Sequence, residues 1–540
     1  MAEIQNIHLC SFPEELLIKI LLDVELRDIL AIKRACRLLA ELVENALELQ
    51  YKVALGKAGL ENGPPGNLTT AERLEKVKQY QDAWHSMNFI VGDPFELPPH
   101  SLTKSHSGGV YSLLTTVGDV KLYRISSPIR GRPEQHWTLT RHDMDLSRLV
   151  QIISVCDVDC SQDLVVLLHT DSINIVGIRS YAIHLRSATT GAQHPLASRR
   201  KLKLPHKEAM HDSSIYGDIV AVVTLQSQTK LHLLLWNWKS GTMIFHLEST
   251  FGATISPRCY TFVDEQHIMV TGRSHLAVYR FHPAATMAFH PLPSRDEVCI
   301  LQLPSFSSFR AAAVNIHFNW SQVPSVMQPG IPFQNDLANS VVMLQISLGR
   351  AGPPCSYLCL SMSAVRSYIQ QASVQTKSFT WEQWGPMGSR MIILSPTLYQ
   401  ALGTLGSRCL FIRRSAGAGD ELHLVSYECH PWAVGDTHVA EGQAAQTTFM
   451  DHLSTMPEET AVQYSVFADY VHTYMPYRVT ISREKLPPGF RELGLWSEDG
   501  FAFRCRSASD DDVDVMHLAP LCPTEQLSVV RAGIHTASSE

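Results

Sequence analysis

The stretch that decides the fold is DIVAVVTLQSQTKLHLLLWNWKSG, residues 218–241. Asp218 opens an apolar, β-branched run through Val223, and Leu235-Trp-Asn-Trp-Lys-Ser-Gly241 ends a second run in a polar turn. A similar unit precedes it, Asp163-Leu-Val-Val-Leu-Leu168 followed by Leu185-Arg-Ser-Ala-Thr-Thr-Gly191. Gly191 and Gly241 stand 50 residues apart, within the roughly 40–50-residue period of repeats built from four-stranded sheets.

Further copies lie at Tyr111–Leu114 with Val120–Ile125, at His267–Val270 with Leu276–Phe281, and at Leu410–Ile412 with Leu422–Tyr427. From Asn88 onward, runs of four to eight such residues alternate with Gly, Pro, Ser, Asn and Asp clusters, the pattern of an all-β domain. This body resembles WD-like β-propellers, although Asn237 stands where the WD signature has Asp. The length allows seven or eight blades, and Asn88-Phe89-Ile90 is expected to pair with the last strands so that the ring closes without a free edge. Trp236 and Trp238, two apart on a strand, share one face and read as packing between blades.

Outward from this body lies a helical N-terminus. Residues 11–43 read SFPEELLIKILLDVELRDILAIKRACRLLAELV. Ser11 with Glu14 matches a capping box, and Pro13 suits a first helical turn. Phe12, Leu16, Leu17, Ile20, Leu21 and Val24 recur at helical spacing. Asp28 is a candidate N-cap for a second stripe running through Ile29, Leu30, Ile32, Ala35, Cys36, Leu39, Leu42 and Val43. So short a module needs a partner to bury this surface. Helix continues from Glu44 to Ala58 with Gly59 as its stop, a Gly-Pro loop comes next at 62–66, and Thr69 with Glu72 caps a helix reaching about Met87. On that helix Leu74, Val77, Tyr80, Gln81 and Trp84 share a face, which braces the module against the strand-rich body.

The order Phe12-Pro13-Glu14-Glu15-Leu16-Leu17, then Ile20-Leu21, Asp28-Ile29-Leu30 and Cys36-Arg37 resembles the F-box. The whole chain is similar to fungal F-box proteins that carry a C-terminal propeller. The resemblance implies a mainly β protein with a small all-α N-terminal module: F-box helices at 1–58, a loop and bracing helix at 59–87, and a divergent seven- or eight-bladed propeller at 88–540. It implies a substrate receptor of an SCF-type ubiquitin ligase. Phe12, Pro13, Leu16, Leu17, Ile20, Leu21, Leu26, Ile29 and Leu30 would meet the Skp adaptor and, through it, the cullin scaffold, while the propeller holds a target protein that the sequence leaves unknown.

Composition is compatible with that reading. The 540 residues are 45% hydrophobic and 18% charged, with a net charge of −7, so no basic field invites nucleic acid or an anionic membrane. No apolar run approaches a membrane span, and the expected setting is cytoplasmic or nuclear. Phosphate loops, G-x-S-x-G and H-E-x-x-H are missing. Cys156 with Cys160 and Cys355 with Cys359 read as core thiols, His206 with His211 as loop polarity, and Asp510–Asp512 with Asp514 as a solvated acidic loop; no metal or cofactor is expected. A non-degradative scaffold binding the adaptor or another helical partner remains the alternative, and a propeller hydrolase would need carboxylates in the central channel.

Overall fold

In a computed structural model of the protein, the described residues are 9–98, 102–106, 109–146, 151–173, 179–204, 210–227, 230–250, 259–284, 296–306, 314–318, 320–322, 330–348, 355–372, 377–415, 421–429, 448–449, 467–468, 471–507 and 513–523. Seven mainly antiparallel sheets of four or more strands succeed one another along them and form a seven-bladed β-propeller. Blade 1 is Leu102–His106, Val110–Leu114, Val120–Arg124 and Gln135–Leu139, and blade 2 is Gln151–Asp159, Leu164–Ile173, Arg179–Ser187 and Lys201–Lys203. Blade 3 is Met210–Tyr216, Ile219–Ser227, Lys230–Asn237 and Thr242–Thr250; blade 4 is Tyr260–Phe262, His267–Thr271, His275–Arg280 and Glu297–Gln302. Blade 5 is Val314–Phe318, Val341–Leu348, Cys355–Ser361 and Ser389–Leu394, and blade 6 centres on Tyr399–Leu405, Arg408–Arg414, Leu422–Glu428 and Arg478–Lys485.

Blade 3 shows why its sequence is an apolar run. Val220, Val222 and Leu234 pack with Leu164, Val166 and Leu168 of blade 2. Ile219, Ala221, Val223, Leu233 and Leu235 point the other way, against Ile268 and Val270 of blade 4. A strand buried on both faces has no polar side, so the alternation expected of a half-exposed strand is lost. Trp236 and Trp238 both enter the core shared with blade 2, as packing between blades requires.

The repeat read from sequence is also a repeat of hydrogen bonds. Ala188 N donates to Asp163 O at 2.8 Å, and Trp238 N to Asp218 O at 3.0 Å. Gly191 and Gly241 close equivalent turns at φ of 73° and 68°, donating to Ser187 O and Asn237 O. That left-handed conformation favours glycine.

The ring closes as expected. Blade 7 consists of Phe490–Ser497, Gly500–Arg506 and Asp514–Pro520 from the chain's end, with Phe95–Glu96 from its beginning as the outermost strand. Phe95 pairs with Met516, Phe89 bridges Leu521, and Gly92 N donates to Leu518 O at 2.8 Å. Asp514 opens a strand and pairs with Arg504 at 2.6 Å and Arg491 at 3.1 Å, so it is no part of a solvated loop; Asp510–Asp512 and His206 lie outside the described residues.

Five N-terminal helices precede the propeller: α1 Glu14–Asp23, α2 Leu26–Ala35, α3 Arg37–Asn45, α4 Leu47–Ala58 and α5 Thr70–Ser86. Two expected caps differ. Pro13 is the N-cap of α1, its carbonyl accepting from Leu16 N and Leu17 N, because a preceding turn at Leu9–Ser11 places Ser11 too early. Glu25 is the N-cap of α2, which puts Asp28 inside its first turn. The helical run expected from Asp28 to Ala58 is broken at Cys36 and Ala46, both extended, whereas two signals hold: Thr69 and Glu72 form a reciprocal capping box, and Gly59 ends α4 at a φ of 66°. Two helices not read from sequence, α6 Met362–Gln371 and α7 Trp381–Gly388, are inserted before the last strand of blade 5. No helix among the described residues is long and apolar enough to cross a membrane.

Candidate functional site

The candidate site is the outer surface of the α1–α4 module. Its core is Leu17, Leu21, Ile29, Leu39, Leu42, Val43 and Leu49. Residues one position apart on a helix point about 100° apart, so α1 divides its apolar side chains between two directions. Leu17 and Leu21 are each 1% exposed, whereas Phe12, Leu16 and Ile20 are 39%, 45% and 41% exposed. Leu16 and Ile20, four apart on α1, share one face, and Phe12 stands exposed just ahead of the N-cap Pro13; together they make up the exposed apolar stripe. Leu9 and Leu38 are exposed apolar side chains of the same module.

The nine expected adaptor-facing residues therefore fall into three groups. Phe12, Pro13, Leu16 and Ile20 are exposed; Leu26 and Leu30 are half-buried; Leu17, Leu21 and Ile29 face inward. The inward group holds the module together and presents no surface, since one apolar run has to supply both a core and a face. Leu26 lies so close to Gly56 of α4 that a Cβ there would stand 2.7 Å from its Cδ2.

The module does not hang on a linker. Tyr51, Leu55 and Ala58 of α4 share a single core with Leu74, Val77, Tyr80, Ala83 and Trp84 of α5 and with Leu405 and Leu410 of blade 6 and Phe501 and Phe503 of blade 7. Leu60–Asn62 pairs with Phe333–Asn335, which belongs to the excursion between the first two strands of blade 5. Gly63 sits where a Cβ would be 1.9 Å from Ile331 O, a contact that only glycine allows. Buried Arg73 donates to Asn62 Oδ1 at 2.8 Å, Pro64 O at 2.7 Å and Pro332 O at 3.2 Å. Tyr51 Oη donates to Asn62 Oδ1 at 2.8 Å, and Lys76 Nζ to Ile129 O at 2.7 Å. The Gly-Pro loop read as a break is thus a docking element, and the sequence signal that could have shown it is the glycine directly before two prolines.

Beneath α5 two buried ion pairs fix blade ends. Arg408 reaches Glu428 at 2.7 Å, with the guanidinium 4.8 Å from the Trp84 ring, and His85 approaches the same carboxylate at 3.5 Å. Arg130 joins blades 1 and 7 through Asp499 at 2.7 Å and through Glu498. Asp157 accepts from Ile215 N at 2.8 Å and Asp159 from Ser161 N at 2.9 Å. The four buried carboxylates among the described residues are therefore engaged in holding the scaffold.

Of the cysteine pairs singled out by spacing, the side chains of Cys156 and Cys355 lie outside what is described. Cys359 instead meets Cys409 and Cys429, far away in sequence, in a fully buried group. Sequence spacing gave no sign of it, because the three come from two blades.

No protein-family model matches the chain, and no curated protein matches it in sequence. Among solved structures, the C-terminal WD40 domain of Sif2 overlays at 8% identity and a TM-score of 0.31, covering 79% of this chain and 99% of that one. The WD40 domain of SCAP from fission yeast overlays at 8% and 0.29, covering 80% and 98%, and a protein described as dipeptidyl aminopeptidase IV from Bacteroides ovatus at 8% and 0.28, covering 60% and 49%. Overlays this loose carry no inference about what the chain does. Its own sheets define the class: a seven-bladed β-propeller. Docked on it is a helical module with an uncovered apolar stripe.

Proposed function

We propose that the protein is a substrate receptor of an SCF-type ubiquitin ligase, in which the α1 stripe takes the Skp adaptor, the adaptor brings the cullin, and the propeller presents a target protein. The observation that carries this reading is the exposed row Phe12, Leu16 and Ile20 on a module fixed to the propeller through α4, α5 and Leu60–Asn62. A fixed connector suits an assembly that works by holding a bound target near a separately carried reactive group, because orientation is then set before encounter. About two-fifths of each stripe side chain meets water, so covering all three contributes roughly 2–4 kcal/mol gross at about 1.5–3 kcal/mol per full side chain. The stripe is the centre of an interface, and its neighbours supply the rest.

The test compares Leu16→Asp/Ile20→Asp with the intact chain in co-purification with adaptor and cullin. The expected result is adaptor binding weakened about 100-fold, with an unchanged melting temperature. Unchanged binding would refute the reading. Adaptor recovered without any cullin would replace it with the scaffold alternative.

A further inference from the structure

Cys359 lies on the third strand of blade 5, Cys409 on the second strand of blade 6, and Cys429 just past the third strand of blade 6, its N–H donating to Ser407 O at 2.8 Å. All are free cysteines, 2% exposed or less. Their three sulfurs lie within 4.8 Å of one another, walled by Tyr357, Phe411 and Tyr427. Cys359 Sγ and Cys409 Sγ stand 2.9 Å apart, closer than the roughly 3.5–4.0 Å at which even carbon atoms rest against each other. Beside them is Arg390, 2% exposed, which interacts electrostatically with Cys359 and Cys429. Its Nε donates to Met475 O at 2.7 Å, its plane lies 4.5 Å from the Tyr477 ring, and Nη1 has no hydrogen-bond partner.

We propose that Cys359, Cys409 and Cys429 form a three-thiolate site for a thiophilic d10 metal ion, Cu(I) or Zn(II), that clips blade 5 to blade 6. Three convergent thiols are a soft donor set, which selects these ions over Mg2+ or Ca2+. Metal–sulfur bonds of about 2.3 Å place the sulfurs of a trigonal site about 4 Å apart. The three sulfurs lie within 4.8 Å of one another, and seating an ion would part the crowded 2.9 Å pair by about 1 Å. Each thiol releases its proton on binding. Three thiolates around Zn(II) carry a single negative charge, which the Arg390 guanidinium offsets; a buried cation with an unengaged N–H is then accounted for. No fourth donor joins the group among the described residues, which suits three-coordinate Cu(I), whereas Zn(II) would add a light-atom ligand.

The full chain, purified anaerobically with a non-thiol reductant, is loaded with Cu(I) or with Zn(II), desalted, and assayed for metal by elemental analysis. The expected result is one ion per chain in the arm that matches the site. X-ray absorption then shows three sulfur neighbours, with an added light atom only in the zinc arm. Cys429→Ser and Cys409→Ala lose the ion, whereas Cys505→Ser, at a buried thiol elsewhere, retains it. Circular dichroism of each variant separates loss of metal from loss of fold. Because wild type itself is assayed, a misfolded variant leaves the test intact. Wild type retaining no ion in either arm, a Cys359–Cys409 disulfide with no uptake after reduction, or uptake unaffected by Cys429→Ser would each overturn the proposal.

Discussion

At the residue scale, buried charge and buried imidazole are where this propeller is most sensitive. Burial alone would raise Glu428, but Arg408 first, then His85 and Arg478, hold its carboxyl well below the usual range. Arg408→Met leaves that carboxylate without its main partner, an uncompensated buried charge costing about 3–5 kcal/mol. Urea unfolding should show that loss, with part of it recovered in Arg408→Met/Glu428→Gln. His184, 3.3 Å from His169 and beside Arg186, is pushed down to about 3 by burial first, then by His169 and by Arg186, Lys201 and Arg200. The unfolded imidazole takes up a proton below roughly 6.5 that the folded one refuses until about 3. Unfolding therefore gains protons in that window, and stability, complete above it, falls as pH drops through it. His184→Gln should flatten the decline in melting temperature between pH 6.5 and 4. Neither feature was legible in sequence: Arg408 and Glu428 face each other across a strand pair, and His169 and His184 meet across another.

At the element scale, legibility tracked local closure. The Thr69–Glu72 box and the Gly59 stop use backbone groups three or four residues away, so sequence contains all that decides them. Ser11 failed because the preceding turn at Leu9–Ser11 set the helix start, which spacing does not record. The repeat units read at 111–125, 163–191, 218–241, 267–281 and 410–427 fall on the second and third strands of blades 1, 2, 3, 4 and 6. Those strands are antiparallel neighbours buried on both faces, so their apolar runs stand out. Blade 5 escaped because the excursion at 330–340 and helices α6 and α7 interrupt its spacing, and blade 7 because its fourth strand comes from the N-terminus. The stripe on α1 was legible as an apolar face, while its division into core and surface depended on α4. Two substitutions test these elements. Thr69→Ala should cost about 1 kcal/mol through loss of the cap. Gly63→Ala should cost more, because its Cβ would meet the Ile331 and Pro332 backbone, and should make the 59–66 loop susceptible to limited proteolysis.

At the scale of the whole molecule, the N-terminal residues serve three ends in succession: a surface at α1, a docked brace from α4 to α5, and the outer strand of blade 7 at Phe95–Glu96. A truncation therefore reports on function only if it stops before the brace. Removing residues 1–60 takes Tyr51, Leu55, Ala58 and Leu60 out of the core shared with blades 6 and 7 and deletes the strand partner of Asn335. Losing the Tyr and two Leu side chains alone forfeits roughly 5–9 kcal/mol of gross burial, at about 1.5–3 kcal/mol each. It also leaves Asn335, 2% exposed in the intact chain, without its pairing with Leu60. Removing residues 1–46 instead discards α1–α3 and uncovers chiefly Leu49, leaving Tyr51 and Arg73 on Asn62 and Pro332. The shorter deletion should keep a cooperative melt within a few degrees of the intact chain while abolishing adaptor capture. The longer one should lower the melting temperature steeply and promote aggregation through the freed apolar surface. Equal melting temperatures for the two would mean that the brace does not stabilise the propeller, and the module would then be a tethered appendage rather than a fixed arm.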